Sequence, residues 1–416
     1  MKWPAAYLLM MSLALPVRAQ FPPKAVPDCG FACFDSNRIT LFADSSSFEK
    51  LFEKMDSVYL LGEGNLRIVH MGGSHVQAGT LTGTLRRNLL SLRPGLDGGR
   101  GLVFPFSAAR TNNPSSFVTH RTGSWEVTKS TRKTPGRRLG LTGIAISTSD
   151  PEASVTLTAI ARDPRPDDPV FRFNLVKVLG WSSGGDRVPV VVSSRGDTLQ
   201  GVRSQVDSCW DFTLDQLSDS VRIAVAGRNG ELTITGIFLD NPFPGITVSG
   251  IGINGASLAA YLRCPDLLRD LALVRPDLAI LEIGVNDASG PNFSKEEFMQ
   301  RYRTLVGMVR SVSPDCALLF VTNNDSFRRI RRKGYVVNRN GVLVKDAMMR
   351  LGKEYNAGVW DLFSIMGGLG SMKKWETAAL AKRDKIHFTE EGYEIVGNLL
   401  YNALMDRYVE HSKKGR

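Results

Sequence analysis

The sequence predicts an α/β domain on a parallel sheet, interrupted by an inserted β-sandwich. Three observations carry this. In the C-terminal part, continuous apolar runs alternate with amphipathic helical patterns, as in DLAILEIG followed by FMQRYRTLVGMVRSV. Strands apolar on both faces belong to parallel sheets covered by helices on both sides. The strand–turn–helix order also occurs near the start, where Leu66–Met71 leads through Gly72-Gly73-Ser74 into a helical pattern from Thr80 to about Leu92. Between these stretches the chain breaks into short β-branched runs punctuated by Gly, Asp, Pro and Ser, including ASVTLTAI, RVPVVVSS and ELTITGIFL. Such runs with turn chemistry between them predict an antiparallel sandwich.

Taken in order, residues 1–19 read as a signal peptide: Lys2 as a short basic start, Ala5 to Leu15 as an apolar core, and Val17-Arg18-Ala19 as a small-residue cleavage motif. The apolar run is too short to span a bilayer comfortably, and no later stretch is long enough, so the mature chain is expected to be exported with no transmembrane segment. Residues 20–60 form an N-terminal extension of Pro-rich coil and an amphipathic segment. The α/β domain occupies 61–115 and resumes over 246–408, with the β-rich block at 116–245 expected to fold separately within it and a basic tail at 409–416. In the second part, VSGIGING enters a Gly-rich turn before a helix from Ala256 to about Val274; CALLFVTNN and GVWDLFSIM are further strands, VLVKDAMMRLGKEYN a helix, and Thr389 to about Tyr408 the last helix.

Composition is that of an ordinary globular protein, with 43% hydrophobic and 22% charged residues. The net charge is +11, or +9 once Lys2 and Arg18 leave with the leader. That excess favours anionic polymers or headgroup surfaces but is not interleaved with aromatics, so no nucleic-acid partner is expected. Export permits disulfides; among the five cysteines, Cys29 and Cys33 are close enough for a local bridge, while Cys209, Cys264 and Cys316 read as buried. No ligand-spaced Cys/His cluster suggests a metal.

The chemistry lies at the carboxyl ends of the predicted strands, where sites form in open α/β sheets. Gly72-Gly73-Ser74-His75 presents a serine hydroxyl at the start of a helix. Asn254-Gly255-Ala256-Ser257 is a turn whose amides can face an anion. In Gly284-Val285-Asn286-Asp287 the Asn286 amide can point at a developing oxyanion. Asp384-Lys385-Ile386-His387 places a carboxylate three residues before an imidazole, so one turn can direct both to one point. Of the five histidines, His70, His75, His120, His387 and His411, only His387 has a carboxylate at this spacing.

The order GxS, NG, GxND and DxxH resembles the SGNH (GDSL) hydrolase family over roughly residues 65–115 and 245–405. HMGGSHVQAG, GRGLVFPFSAARTNNP and WDLFSIMGGLGS are also similar to exported SGNH proteins of Bacteroidetes-type bacteria, and some peptidoglycan O-acetylesterases of the family carry a β-sandwich inserted between the first and second motifs. The resemblance implies a flavodoxin-like three-layer domain, a jelly-roll-like insert with a possible carbohydrate-binding role, and a serine esterase. It implies Ser74 as nucleophile, Asp384 and His387 as its partners, and Ser74, Gly255 and Asn286 as oxyanion donors, with no metal or organic cofactor. The expected function is removal of O-acyl, in particular O-acetyl, groups from a carbohydrate or cell-envelope polymer. An O-acetyltransferase with the same triad and a non-catalytic carbohydrate-binding protein are the alternatives; substrate-binding residues and oligomeric state are not readable. The chain departs from the family at Gly73, where an Asp is usual.

Other residues read more plainly. His75 is expected to be a structural helix-start residue, and His70 and His75 are wrongly spaced for a metal pair. Glu282, in a buried strand, needs a hydrogen-bonding partner. Arg328 to Lys333 reads as a solvated loop on the active-site rim or as a surface for an anionic substrate. Trp125, Trp181 and Trp210 read as buried sandwich aromatics or as platforms for sugar rings.

Overall fold

The computed structural model describes residues 21–414 except 43–45, 94, 97, 167, 193–195, 205–208 and 333. The expected leader, residues 1–19, and Lys333 lie outside the described residues. The central sheet has six strands, ordered Ile39–Leu41, Gly358–Trp360, Ala317–Val321, Leu278–Glu282, Asn65–Gly72 and Gly245–Gly252. All neighbours run parallel except the edge strand Ile39–Leu41, which is antiparallel to Gly358–Trp360. That edge strand falls within the stretch read as an extension.

Period-two alternation sends side chains to opposite faces. Val69, Met71, Ala279, Leu281, Leu318 and Phe320 enter one buried cluster, whereas Leu66, Ile68, Leu278, Ile280, Ala317 and Leu319 enter another. The second is covered by Ser46–Asp56, Thr80–Leu90 and the long C-terminal helix Glu390–Lys414. The first is covered by Leu258–Leu262, Leu267–Val274, Lys295–Val312 and Asn340–Glu354. The pattern read as one helix from Ala256 is two short helices, parted at Arg263–Asp266. This is a three-layer α/β domain.

The β-rich block forms two antiparallel sheets. A five-stranded sheet runs Thr198–Gln200, Val188–Val192, Ser220–Ala226, Ser154–Thr158, Val118–Thr122. A seven-stranded one is centred on Phe173–Ser183 and Glu231–Asp240. The latter also recruits Gly101–Val103, which pairs with Ile237–Leu239.

The sandwich and the α/β domain share a core. Leu102, Phe104, Leu139 and Leu141 belong to the same buried cluster as Val69, Ile251 and Ile253. The Leu102 amide donates to Ser249 Oγ (3.0 Å) and the Leu141 amide to Asp270 Oδ2 (2.9 Å). Burial pushes the Asp270 carboxyl up, while Arg269 and the Leu141 amide pull it down. Arg138 pairs with Asp266, whose amide donates to Leu139 O. The abrupt change of pattern in the sequence therefore does not mark an energetic boundary.

Replacing residues 116–244 by a short Gly/Ser linker would uncover Leu102, Phe104, Ile251 and Ile253. At roughly 1.5–3 kcal/mol per large apolar side chain, this approaches the whole net stability of a domain, about 5–15 kcal/mol. The truncated chain is expected to show no cooperative thermal transition by calorimetry. A sharp transition near that of the full chain would show the insert to be energetically separate.

Candidate active site

Four loops meet above the carboxyl ends of the parallel strands. The first follows Asn65–Gly72. A Cβ on Gly72 would lie 2.3 Å from Val76 Cγ2, so the chain can fold back into the Ser74–Ala78 helix only with glycine there. Gly73 has φ −97°, outside the left-handed region, so a side chain there meets no left-handed penalty. Space is the constraint: its Cβ would stand 3.0 Å from Asn286 Nδ2.

Asp384 to His387 is a tight turn. Asp384 Oδ1 accepts from the amides of Ile386 (2.9 Å) and His387 (3.0 Å), while Oδ2 accepts from His387 Nδ1 (2.8 Å). With Nδ1 assigned as the protonated nitrogen from these contacts, Nε2 accepts from Ser74 Oγ at 2.6 Å. Burial raises the Asp384 pKa, but the amides and the imidazole together hold it below the ordinary carboxylate value. The carboxylate therefore stays ionised at neutral pH.

Gly255 sits at φ +80° in the turn after Gly245–Gly252. Its N–H has no backbone acceptor among the described residues. Asn286 Nδ2 donates to Ala256 O at 2.9 Å. The structure thus brings Ser74, Gly255, Asn286, Asp384 and His387 to the wall of one open cleft of about 500 Å³.

Several residues that shape this cleft are not evident in the sequence. Gln77, one helical turn beyond Ser74, accepts from the Asn254 amide (2.7 Å) and donates to Asn112 (3.0 Å), tying three loops together. The adjacent TNNP run is a polar cue, but its partner is set by the fold. Asn324 Nδ2 donates to Ile386 O at 2.9 Å and props the Asp384 turn from beneath.

His75 is more than a helix-start residue. It is 4% exposed, its Nδ1 is 2.9 Å from Tyr393 Oη, and its ring centroid is 5.4 Å from that of His387. Burial lowers its pKa to about 4, against an upward pull from Glu282 and a further lowering by His387. A neutral ring thus packs against His387. Deeper still, His70 Nε2 meets Glu282 Oε2 (2.8 Å) and its Nδ1 meets Thr82 Oγ1 (2.9 Å), which supplies the partner Glu282 requires. Among the described residues no His/Cys/Asp/Glu group could hold a metal ion.

The remaining expectations divide. Cys29 and Cys33 are not joined in a disulfide: the turn at 29–33 buries Cys29 and turns Cys33 to solvent, so no local bridge forms. Trp125 and Trp210 are buried and Trp181 half-buried; the Trp210 ring carries the Arg203 guanidinium at 4.0 Å. Of the Arg328–Lys333 run, the described residues are not a plain loop, since Phe327–Ile330 pairs with Gly334–Val337 as a β-hairpin at the cleft.

A histidine held at about 4 in the fold and near 6.5 when unfolded binds its proton more readily in the unfolded chain. Its contribution is fully present above pH 6.5 and is lost as pH falls toward 4. The loss is about 3 kcal/mol at 1.36 kcal/mol per unit. His75→Gln is therefore expected to flatten the fall in unfolding free energy between pH 6.5 and 4 by roughly that amount. Parallel denaturation curves for variant and wild type across that interval would refute it.

Residues 226–395 match the GDSL-like Lipase/Acylhydrolase family. No curated protein matches the chain. Among solved structures, one described as a peptidoglycan O-acetylesterase in action is 25% identical with a TM-score of 0.72, over 89% of this chain and 99% of that one. A lipase/acylhydrolase from Enterococcus faecalis is 21% identical with a TM-score of 0.31, over 39% and 77%. A family two carbohydrate esterase from Cellvibrio japonicus is 10% identical with a TM-score of 0.27, over 71% and 99%. Residues 226–395 form a GDSL-like lipase/acylhydrolase domain, and the chain is a hydrolase that acts on ester bonds.

Proposed function

We propose that this chain is an exported serine esterase that removes O-acetyl groups from a carbohydrate or cell-envelope polysaccharide. One observation carries the reading: the unbroken hydrogen-bonded series Ser74 Oγ, His387, Asp384 opens into a cleft that Gly255 and Asn286 also line. His387 Nε2 takes the Ser74 proton as Oγ attacks the ester carbonyl, and Asp384 stabilises the resulting imidazolium. The imidazolium then protonates the leaving sugar oxygen, leaving an acyl-serine. Water, deprotonated by the same nitrogen, releases acetate and restores Ser74. The N–H groups of Ser74 and Gly255 and the Asn286 amide are assigned to the tetrahedral oxyanion, each worth on the order of 3 kcal/mol.

Polar side chains of Asn112, Asn254, Ser289, Ser326 and Asn338 line the same cleft and suit a hydroxyl-rich acyl carrier. The likeness to the peptidoglycan O-acetylesterase structure favours an acetylated envelope glycan. The leader-like residues 1–19 support export. No helix among the described residues is long and apolar enough to cross a membrane.

The test is acetate release from acetylated polysaccharides, including peptidoglycan. Ser74→Ala and His387→Ala are each expected to lower kcat by about 10³-fold or more while melting near the wild-type temperature, since the two groups act as a unit. A folded variant retaining above about a tenth of kcat overturns the assignment. Gly73→Asp crowds Asn286 Nδ2, and its carboxylate competes for the amide that would meet the oxyanion. It is expected to lower kcat/KM by up to about tenfold, ~1.4 kcal/mol. A rise of about a hundredfold would instead mark glycine as the impairing residue.

A further inference from the structure

The hairpin at the cleft carries positive charge that the protein leaves uncompensated. Its strands pair Arg328 with Val336 and Arg329 with Tyr335, and the tip bears Arg331 and Arg332. No carboxylate among the described residues forms an ion pair with any of these four arginines, although Arg137, Arg138, Arg269 and Arg303 elsewhere are all paired. Arg329, Arg331 and Arg332 are exposed.

Arg328 is different. It lines the cleft, is half-buried, and its Nε is enclosed without a hydrogen-bond partner. An enclosed, unpaired donor costs about 1–3 kcal/mol, and more on a charged group. Lys382 is the other cation lining the cleft. The sole carboxylate lining it is Asp384, whose oxygens are taken by His387 and Ile386. Glu376, nearby, is held by Lys385 Nζ at 3.0 Å.

The hairpin is seated on the reactive loops. The Phe327 amide donates to Lys385 O (3.0 Å), two residues before His387, and the Phe327 ring packs on the apolar core. At the other end, buried Asn338 donates from its amide to Ser326 O (2.8 Å) and from Nδ2 to Ala288 O (3.1 Å), close to Asn286. Lys385 Nζ lies 4.7 Å from the centroid of the exposed Tyr335 ring. Arg328 is thus fixed relative to both His387 and Asn286.

We propose that Arg328 and Lys382 form a carboxylate subsite of the cleft, so that the substrate is an acidic glycan whose carboxylate lies on or beside the acylated sugar. This rests on the esterase reading above and narrows it. A guanidinium pairs with a carboxylate in bidentate fashion, and the ammonium adds a point charge. Arg329, Arg331 and Arg332 extend the positive field along the polymer's path and draw it in at low salt.

The full chain is assayed on acetylated oligogalacturonate, acetylated xylan oligomers of matched acetyl content, and an acetylated phosphodiester-linked polymer. Wild type is expected to prefer the uronate by about tenfold or more in kcat/KM near 20 mM salt, ~1.4 kcal/mol, and less near 0.5 M. R328Q and, separately, the exposed-site variant K382Q are each expected to reduce that preference, chiefly through KM, with melting temperatures showing that both fold. Equal rates on uronate and xylan, a preference for the phosphodiester polymer, or a preference that survives both substitutions overturns the subsite. If wild type hydrolyses none of the esters, the esterase reading itself fails. The subsite is then decided by calorimetric binding of de-acetylated oligogalacturonate, which R328Q must weaken about tenfold or the subsite fails too.

Discussion

Asp384 accepts three hydrogen bonds at once, and the reactive end of the molecule is arranged around them. Two come from the backbone of its own turn and one from the ring of His387, so a single carboxylate fixes both the path of the chain and the tautomer of the imidazole. The arrangement requires Lys385 at φ +57°, a left-handed conformation that costs a non-glycine residue about 1–2 kcal/mol. Charge-assisted bonds to the ionised carboxylate offset that cost. The Lys385 amide donates to Lys382 O (2.9 Å), and its carbonyl receives the hairpin, so the strained residue is braced from both sides.

Beneath this turn the protein keeps its polar groups neutral or paired. His75 is held unprotonated by burial, and a cation there would oppose the imidazolium that an acyl transfer forms on His387. His70 and Glu282 satisfy one another one layer deeper. The outer wall is the reverse, with cations facing open solvent and the cleft. The site thus changes from a buried floor of hydrogen-bonded polar groups to an exposed, positive rim.

Much of this organisation is legible in the sequence, for physical reasons that differ by element. Leu278–Glu282 and Ala317–Val321 are readable because every residue is buried and, up to Glu282 at the end of the first, the runs are apolar. Ile39–Leu41 is three residues long with one buried side chain, too little for periodicity to register. Gly101–Val103 is equally short and takes its strand identity from pairing with Ile237–Leu239. The basic hairpin escapes because charge suggests solvent, whereas its pairing is set by tertiary seating. The approach of Asp384 to His387 is local and follows from spacing. That of Ser74, far off in the chain, is suggested only by family resemblance, and the burial of His75 under His387 by nothing local at all.

The pairing of Asn65–Gly72 with Gly245–Gly252 places Ser74 and Gly255 at the ends of adjacent strands, with the whole sandwich threaded between them. Contacts so distant in sequence form late, because the intervening chain must first be ordered before the loop it closes is rewarded. A partly synthesised or partly folded chain therefore holds the serine without its facing amide, and acquires the histidine only when the last helix docks. On the proposed mechanism, Ser74 therefore stays inert until the fold is finished.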